Sequence, residues 1–289
     1  MFYLKGQKES FKNIYLLASH YSGLKEQLSL KEVQKNYHDY LNSISPNSTM
    51  PSLEEERYCY DDVRINNMIA KYMDICELTD LGTKIKKTPQ KSMILALGEI
   101  SKAEDFIREN KPELYDLLNI AIHTLFYSRS FHSGGGSVSS LPGTIWCSNR
   151  ISWSLQDCVE FLVHELTHNL LFLDERVNQH YKDLNKIINP ENYAISSILN
   201  KKRPLDKVFH SLVVAYEIIS YRKEFGEKLE KKVHAPTSDI IIMMKNTIKS
   251  IDTLLLNKDL VTPRFYHLFE ELKQNIDQLF DVNQYSFSA

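Results

Sequence analysis

The sequence predicts a mainly α-helical protein with a small β-sheet, an α+β chain whose core is bundle-like and built around one motif-bearing helix. Three observations carry that expectation. Apolar residues recur at three- and four-residue spacings over most of the 289 residues. Glycine and proline are few, nine of each, and four of the glycines fall in one stretch, "SRSFHSGGGSVSSLPGTIWCSNRISWS" (128–154). That stretch also holds both tryptophans and the short β-branched, aromatic run "GTIWCS", which suits a strand.

Taken in order, "SFKNIYLLASHYSGLKEQL" and "SLKEVQKNYHDYLNSI" read as two amphipathic helices. "SPNSTMPS" (45–52), with two prolines among small polar residues, breaks the pattern. Helical spacing resumes over Asp61–Leu78, Ser92–Asn110 and Pro112–Tyr127, with Lys84–Lys91 as an exposed connection. Gly134-Gly135-Gly136 reads as a mobile loop, and it lacks the Lys-Ser/Thr of a phosphate-binding loop. Ser154 precedes the next apolar run, and Asp157 three residues on makes a capping-box variant. A further helix opens after Pro204 and closes at Gly226. The tail from Ser238 is again helical, with Pro263 as a break. No internal repeat is visible. The expected organisation is a helical N-terminal region (1–127), a metal-binding catalytic core (128–226) and a C-terminal helical region (227–289), together forming one compact unit.

Composition narrows the function classes. Hydrophobic residues make up 43% and charged residues 25%, ordinary values for a globular protein. A net charge of −2 gives no basic footprint for nucleic acid or an anionic membrane surface. The first residues lack the pattern of a signal peptide, and no run approaches the roughly 18 apolar residues of a membrane span. Cys59, Cys76, Cys147 and Cys158 are scattered without a CxxC pair, which favours buried, reduced thiols and a cytoplasmic location. Asn47-Ser48-Thr49 matches a glycosylation acceptor, but chance is the better account without a secretion signal.

The stretch that bears on chemistry is "EFLVHELTHNLLFLDE", residues 160–175, which contains His164-Glu165-Leu166-Thr167-His168. On a helix, residues four apart share a face about 6 Å from each other, so two imidazoles there can reach one metal ion. At 100° per residue, His164 and His168 lie within about 40° of each other, beside Phe161 and Leu171. Leu155, Val159, Leu162, Leu166 and Leu173 fall mostly elsewhere and are expected to hold the helix in the core. Glu165 falls at the edge of the histidine face, close enough to act on a bound ligand without coordinating the ion. Chance gives such an HExxH match roughly once in a hundred chains of this length, so an accidental pattern is a poor account.

A catalytic metal commonly takes three protein ligands and keeps a position open. Glu175 lies about 10 Å along the axis from His168, too far to help, and "NLLFLDERVNQH" has no glycine turn leading to a third histidine. The downstream segment "KRPLDKVFHSLVVAYEIISYRKEFG" offers His210 and Glu217, seven residues apart on one helix face. Either can complete the set, but the two cannot reach the same ion. With Glu217 the ligands are those of many zinc peptidases, where Glu165 would take a proton from a zinc-activated water. The edge of the "GTIWCS" strand would then pair with an extended substrate. Two histidines and a third ligand also describe an iron oxygenase. Such an enzyme needs a cation for the remote carboxylate of a 2-oxo acid. Arg203, Arg222 and Arg150 are the arginines near enough in sequence. Spacing alone leaves both chemistries open.

Together, "LPGTIW", "FLVHELTHNLLF" and "RPLDKVFHSLVVAY" resemble the HExxH-motif peptide-modifying proteins of bacterial natural-product clusters, a family of Fe(II)- and 2-oxoglutarate-dependent peptide β-hydroxylases. The likeness covers roughly residues 140–225, and its specificity rests on the Arg-Pro-to-His segment. It implies that His164, His168 and His210 hold the metal. Arg203 matches the arginine of the Arg-Pro pair and is assigned to the co-substrate, with Arg222 as a second cofactor-binding residue. Glu165 is the catalytic residue of the set; hydroxylation needs no base to activate water, so it would orient a ligand or hydrogen-bond to metal-bound water. The implied substrate is a peptide, a ribosomally made precursor. The chain departs from the family in lacking a glycine near His210 ("HSLVVAY"), and an imidazole in place of a carboxylate ligand is unusual for an oxygenase.

Overall fold

The computed structural model describes residues 1–23, 28–45, 53, 56–74, 88–228, 233–256 and 258–281. Its contacts divide the chain into two compact units. One comprises Lys5–Val177 and Lys228–His234 and contains the HExxH motif; the other comprises Met1–Leu4, Asn178–Glu227 and Ala235–Ala289. The boundary at Val177 falls inside the sequence segment 128–226.

Helices dominate the HExxH unit. Helix α1 (Phe2–Ser22) is kinked at Gly6, where φ is 77° and ψ 165°, a conformation that favours glycine. Helix α2 (Leu30–Ile44) starts with a full capping box, Ser29 accepting from the Glu32 N–H while the Glu32 carboxylate accepts from the Ser29 N–H. Helices α3 (Asp62–Asp74), α4 (Gln90–Asn110) and α5 (Pro112–Ala121) follow. Residues 46–52 of the expected break, 75–78 at the end of the expected third helix (Cys76 among them) and 84–87 of the expected connection lie outside the described residues.

The expected helix over Pro112–Tyr127 stops early. After α5, Thr124–Tyr127 forms strand β2, anchored by the His123 and Thr124 N–H groups donating to the Gly143 carbonyl. "TLFY" is a short apolar, β-branched and aromatic run, for which periodicity cannot separate helix from strand. With β1 (Tyr58–Cys59), β3 (Gly135–Gly136) and β4 (Thr144–Cys147) it makes a sheet of order β1-β2-β4-β3. The β1–β2 and β2–β4 pairs are parallel, and β3 runs antiparallel to β4. Leu125 opposes Ile145 and Phe126 opposes Trp146, all four fully buried. The Trp146 indole N–H donates to the Ser128 carbonyl at 2.7 Å, so the largest side chain of the sheet leaves no polar atom unmatched.

Two of the three glycines are therefore strand, with Gly134 in the bend before it. Gly135 and Gly136 pair with Cys147 and Trp146 as strand β3. A Cβ at Gly135 would sit 2.3 Å from the Trp146 carbonyl oxygen and 2.6 Å from the Phe161 ring, and one at Gly134 would meet Trp153 at 2.7 Å. Glycine is required because backbone must pass directly over aromatic rings.

Helix α6 (Leu155–Asn178) carries the motif. Ser154 Oγ accepts from the Asp157 N–H at 3.1 Å and the Asp157 carboxylate accepts from the Ser154 N–H at 2.9 Å, the capping arrangement expected from sequence. Val159, Leu162, Leu166 and Leu173 are buried as expected. Leu155, at the first position of the helix, is instead 41% exposed.

The other unit holds the short helix α7 (Leu184–Ile187), a hairpin of β5 (Ala194–Ile195) and β6 (Lys202–Arg203), and helices α8 (Leu205–Phe225), α9 (Thr237–Leu255) and α10 (Pro263–Asp281). Pro204 and Gly226 bound α8 as expected, Gly226 taking φ 82° and donating its N–H to the Arg222 carbonyl. Pro263 opens α10, where its missing N–H costs no helix bond. Phe209 packs on Phe265 with ring centroids 4.3 Å apart, and Phe269 extends this aromatic core. Among the described residues no helix is long and apolar enough to cross a membrane. Cys59, Cys147 and Cys158 are buried, and burial pushes the Cys158 thiol up to about 12.

Candidate metal centre

From Gln156 to Asp174 every residue of α6 is buried except two, His164 and His168. The only openings in this stretch are thus the two imidazoles of the motif. Their Nε2 atoms stand 3.1 Å apart. Two nitrogens each ~2.0–2.1 Å from one ion are separated by about 3–3.4 Å, so the spacing matches a shared metal. Burial, and then the neighbouring His234, push the His164 pKa down to about 3. The ring is neutral at physiological pH, the form that binds metal.

His164 is held from behind. Its Nδ1 lies 2.9 Å from Nε2 of His234, whose ring stacks on it at 5.2 Å with an interplanar angle of 22°. His234 Nδ1 lies 3.1 Å from Oε2 of Glu160, a residue with no exposed surface. The other Glu160 oxygen accepts from the Gln156 amide at 2.7 Å. Lys228 N–H donates to Gln156 Oε1, and Val233 N–H to Asp157 Oδ1, each at 2.8 Å.

Glu165 sits on the opposite side, its Oε1 4.0 Å from His164 Nε2. The side chain is 5% exposed, and Oε2 is buried without a hydrogen-bond partner among the described residues. Desolvation pushes its pKa up to about 8, partly offset by a hydrogen bond to Ser137. Ser137 follows directly on β3 and also accepts from the Asn169 amide at 2.9 Å, so the glycine strand shapes the wall beside Glu165. An orphaned carboxylate oxygen beside two converging imidazole nitrogens fits a bound cation and its ligand water. Among the described residues, however, no group of three or more His, Cys, Asp or Glu side chains converges as a metal site. The described geometry supplies two nitrogens and an adjacent carboxylate.

The remaining sequence candidates, Arg150 apart, belong to the other unit. His210 is buried on α8, 4% exposed. Glu217 accepts from the N–H groups of Tyr3 and Leu4, each at 2.9 Å, and forms an ion pair with the Met1 amino group. Those contacts engage both oxygens of the carboxylate. Arg222 is buried, and its Nη1 donates to the Ala235 carbonyl at 2.8 Å and to Thr237 Oγ1 at 3.2 Å, tying the end of α8 to the start of α9. Arg203 lies in β6 opposite Ala194 and is half-buried. In the HExxH unit, Arg150 is exposed and donates to the Phe131 carbonyl.

Sequence reasoning missed His234 and Glu160. Glu160 had a signal, since it stands four residues before His164 on the same helix face. His234 had none: it lies 70 residues from its partner, and no local pattern marks it. No protein-family model matches the chain, and neither does any curated protein.

Proposed function

We propose that this chain is a metal-dependent enzyme acting on a peptide, and that its reaction is Fe(II)- and 2-oxoglutarate-dependent hydroxylation of a side-chain β-carbon. The observation that carries the reading is the pair of imidazoles, set 3.1 Å apart, that alone interrupt the buried run of α6. The choice of iron chemistry rests on the resemblance of "RPLDKVFH" and its neighbours to the peptide hydroxylases. When bound, iron with 2-oxoglutarate supplies the oxidising power: one atom of O₂ goes to the substrate carbon, the other to succinate, and CO₂ leaves. His164 and His168 would bind the ion through Nε2. Glu165, buried beside the pair with its carboxyl pushed up by desolvation, would orient a ligand or hydrogen-bond to metal-bound water. By the resemblance, His210 is the third ligand and Arg203 pairs with the remote carboxylate of 2-oxoglutarate. The substrate would be a ribosomally made peptide.

A second reading, zinc peptidase, draws support from Glu165 itself. A buried carboxylate with a pKa near 8 next to a histidine pair suits a general base acting on water. One set of measurements separates the two. Protein reconstituted anaerobically with Fe(II) and given 2-oxoglutarate and O₂ is expected to form succinate. Absence of succinate, coupled or uncoupled, counts against hydroxylation. Peptide cleavage restored by zinc and abolished by Glu165→Gln would establish the peptidase. His164→Ala and His210→Ala are expected to lose metal while Glu217→Ala keeps it. If His164→Ala binds metal as well as the parent does, both readings fail.

A further inference from the structure

We propose that His234, anchored by Glu160, is a positioning residue that fixes the tautomer and ring orientation of His164 so that its Nε2 lone pair faces the metal. This rests on the metal-centre reading above and adds residues that the motif does not contain.

The hydrogen-bond order supports it. A carboxylate only accepts, so Glu160 Oε2 takes the proton on His234 Nδ1, 3.1 Å away. With its proton on Nδ1, His234 has a lone pair on Nε2, which accepts from His164 Nδ1–H at 2.9 Å. With its one proton on Nδ1, His164 presents an unprotonated Nε2 on the side facing His168. Metal-ligating histidines commonly donate their second N–H to a carboxylate or carbonyl. Here an imidazole is inserted between the carboxylate and the ligand. Its distance from the motif is bridged by two backbone contacts, Lys228 to Gln156 and Val233 to Asp157. Gln156, Asp157 and Glu160 lie in the first two turns of α6, and all three are buried. The start of the motif helix is thus built as a receptor for His234. A purely structural role would not require a ring nitrogen at both ends of the side chain.

The test uses the full chain, with Zn(II) and Co(II) as probes and three variants: His234→Ala, His234→Gln and Glu160→Gln. Affinity is read by chelator competition and ligand number by the visible spectrum of bound Co(II). His234→Ala is expected to weaken metal binding about 10–100-fold while the spectrum of the bound ion keeps its shape. His234→Gln can accept from His164 and donate to Glu160, so it is expected to recover most of the affinity. Glu160→Gln is expected to fall between parent and His234→Ala. In metal-free parent protein, ¹⁵N-correlated NMR of the ring should show His164 protonated on Nδ1, and His234→Ala should lose that preference. Unchanged affinity in His234→Ala overturns the proposal. So does a glutamine variant no better than alanine, because the effect is then packing alone. A change in Co(II) spectrum that signals a lost ligand also overturns it, making His234 a ligand. If the parent binds neither ion, the metal-centre reading falls and this proposal falls with it.

Discussion

His123 stands between α5 and β2 with Nε2 buried and unpartnered among the described residues. Burial first, then the nearby His38 and Arg57, hold its pKa down to about 4. The folded protein keeps this ring neutral, whereas an unfolded chain takes up the proton below about pH 6.5. Stability from His123 is therefore fully present above about pH 6.5 and is lost as pH falls towards 4, by about 3 kcal/mol at most. Urea midpoints measured across that window should fall less steeply for His123→Gln than for the parent; equal slopes would remove His123 from the account. His164 and His168 were legible because helix geometry alone places residues four apart on one face. The orphaned oxygen of Glu165 and the ring behind His164 depend on what packs there, which spacing does not encode.

At the scale of elements, β3 makes the sharpest test. Alanine at Gly135 would drive a Cβ to 2.3 Å from the Trp146 carbonyl oxygen, and backbone must shift to relieve it. A loss of about 3 kcal/mol is expected by chemical denaturation. Gly98→Ala in α4 is the opposite case, since its Cβ meets nothing within 4 Å. That change should stabilise by about 0.5–1 kcal/mol through helix propensity and a less flexible unfolded chain. If both substitutions cost the same, β3 does not pack as described. Glycine clustering announced a special segment, but the loop expected there holds only for Gly134, while Gly135 and Gly136 are strand. The same residue suits a turn and a strand that crosses aromatic rings, and only the presence of Trp146, Phe161 and Trp153 separates the two. The helix caps, by contrast, were readable at Ser154 and at the Pro204–Gly226 limits, because capping is settled within a few residues.

For the molecule as a whole, metal binding and stability are linked. A ligand that binds only the folded state at 100-fold over its Kd adds about 2.7 kcal/mol. For a chain of this size that corresponds to a rise of about 4–5 °C in the melting temperature. Chelator-treated protein is expected to show that rise when Zn(II) is added and to lack it in His164→Ala. A melt unmoved by any divalent ion would argue against a resident metal. The two compact units also organise the candidates. His164, His168, Glu165, Glu160 and His234 belong to one, and His210, Arg203 and Arg222 to the other. Chain order hides this grouping, since Lys228–His234 returns to the unit of the motif after fifty residues of the other.

The sequence by itself determined the helical class, the motif helix with its cap, and the pairing of His164 with His168. Each follows from interactions between residues a few positions apart, which local spacing records. Only the tertiary structure decided that Gly135–Gly136 is a strand, that Glu217 is occupied by the first residues of the chain, and that Glu160 and His234 stand behind His164. Those outcomes depend on segments distant in sequence being brought together by burial, and the hydrophobic effect that buries them is non-directional and leaves no local pattern to read.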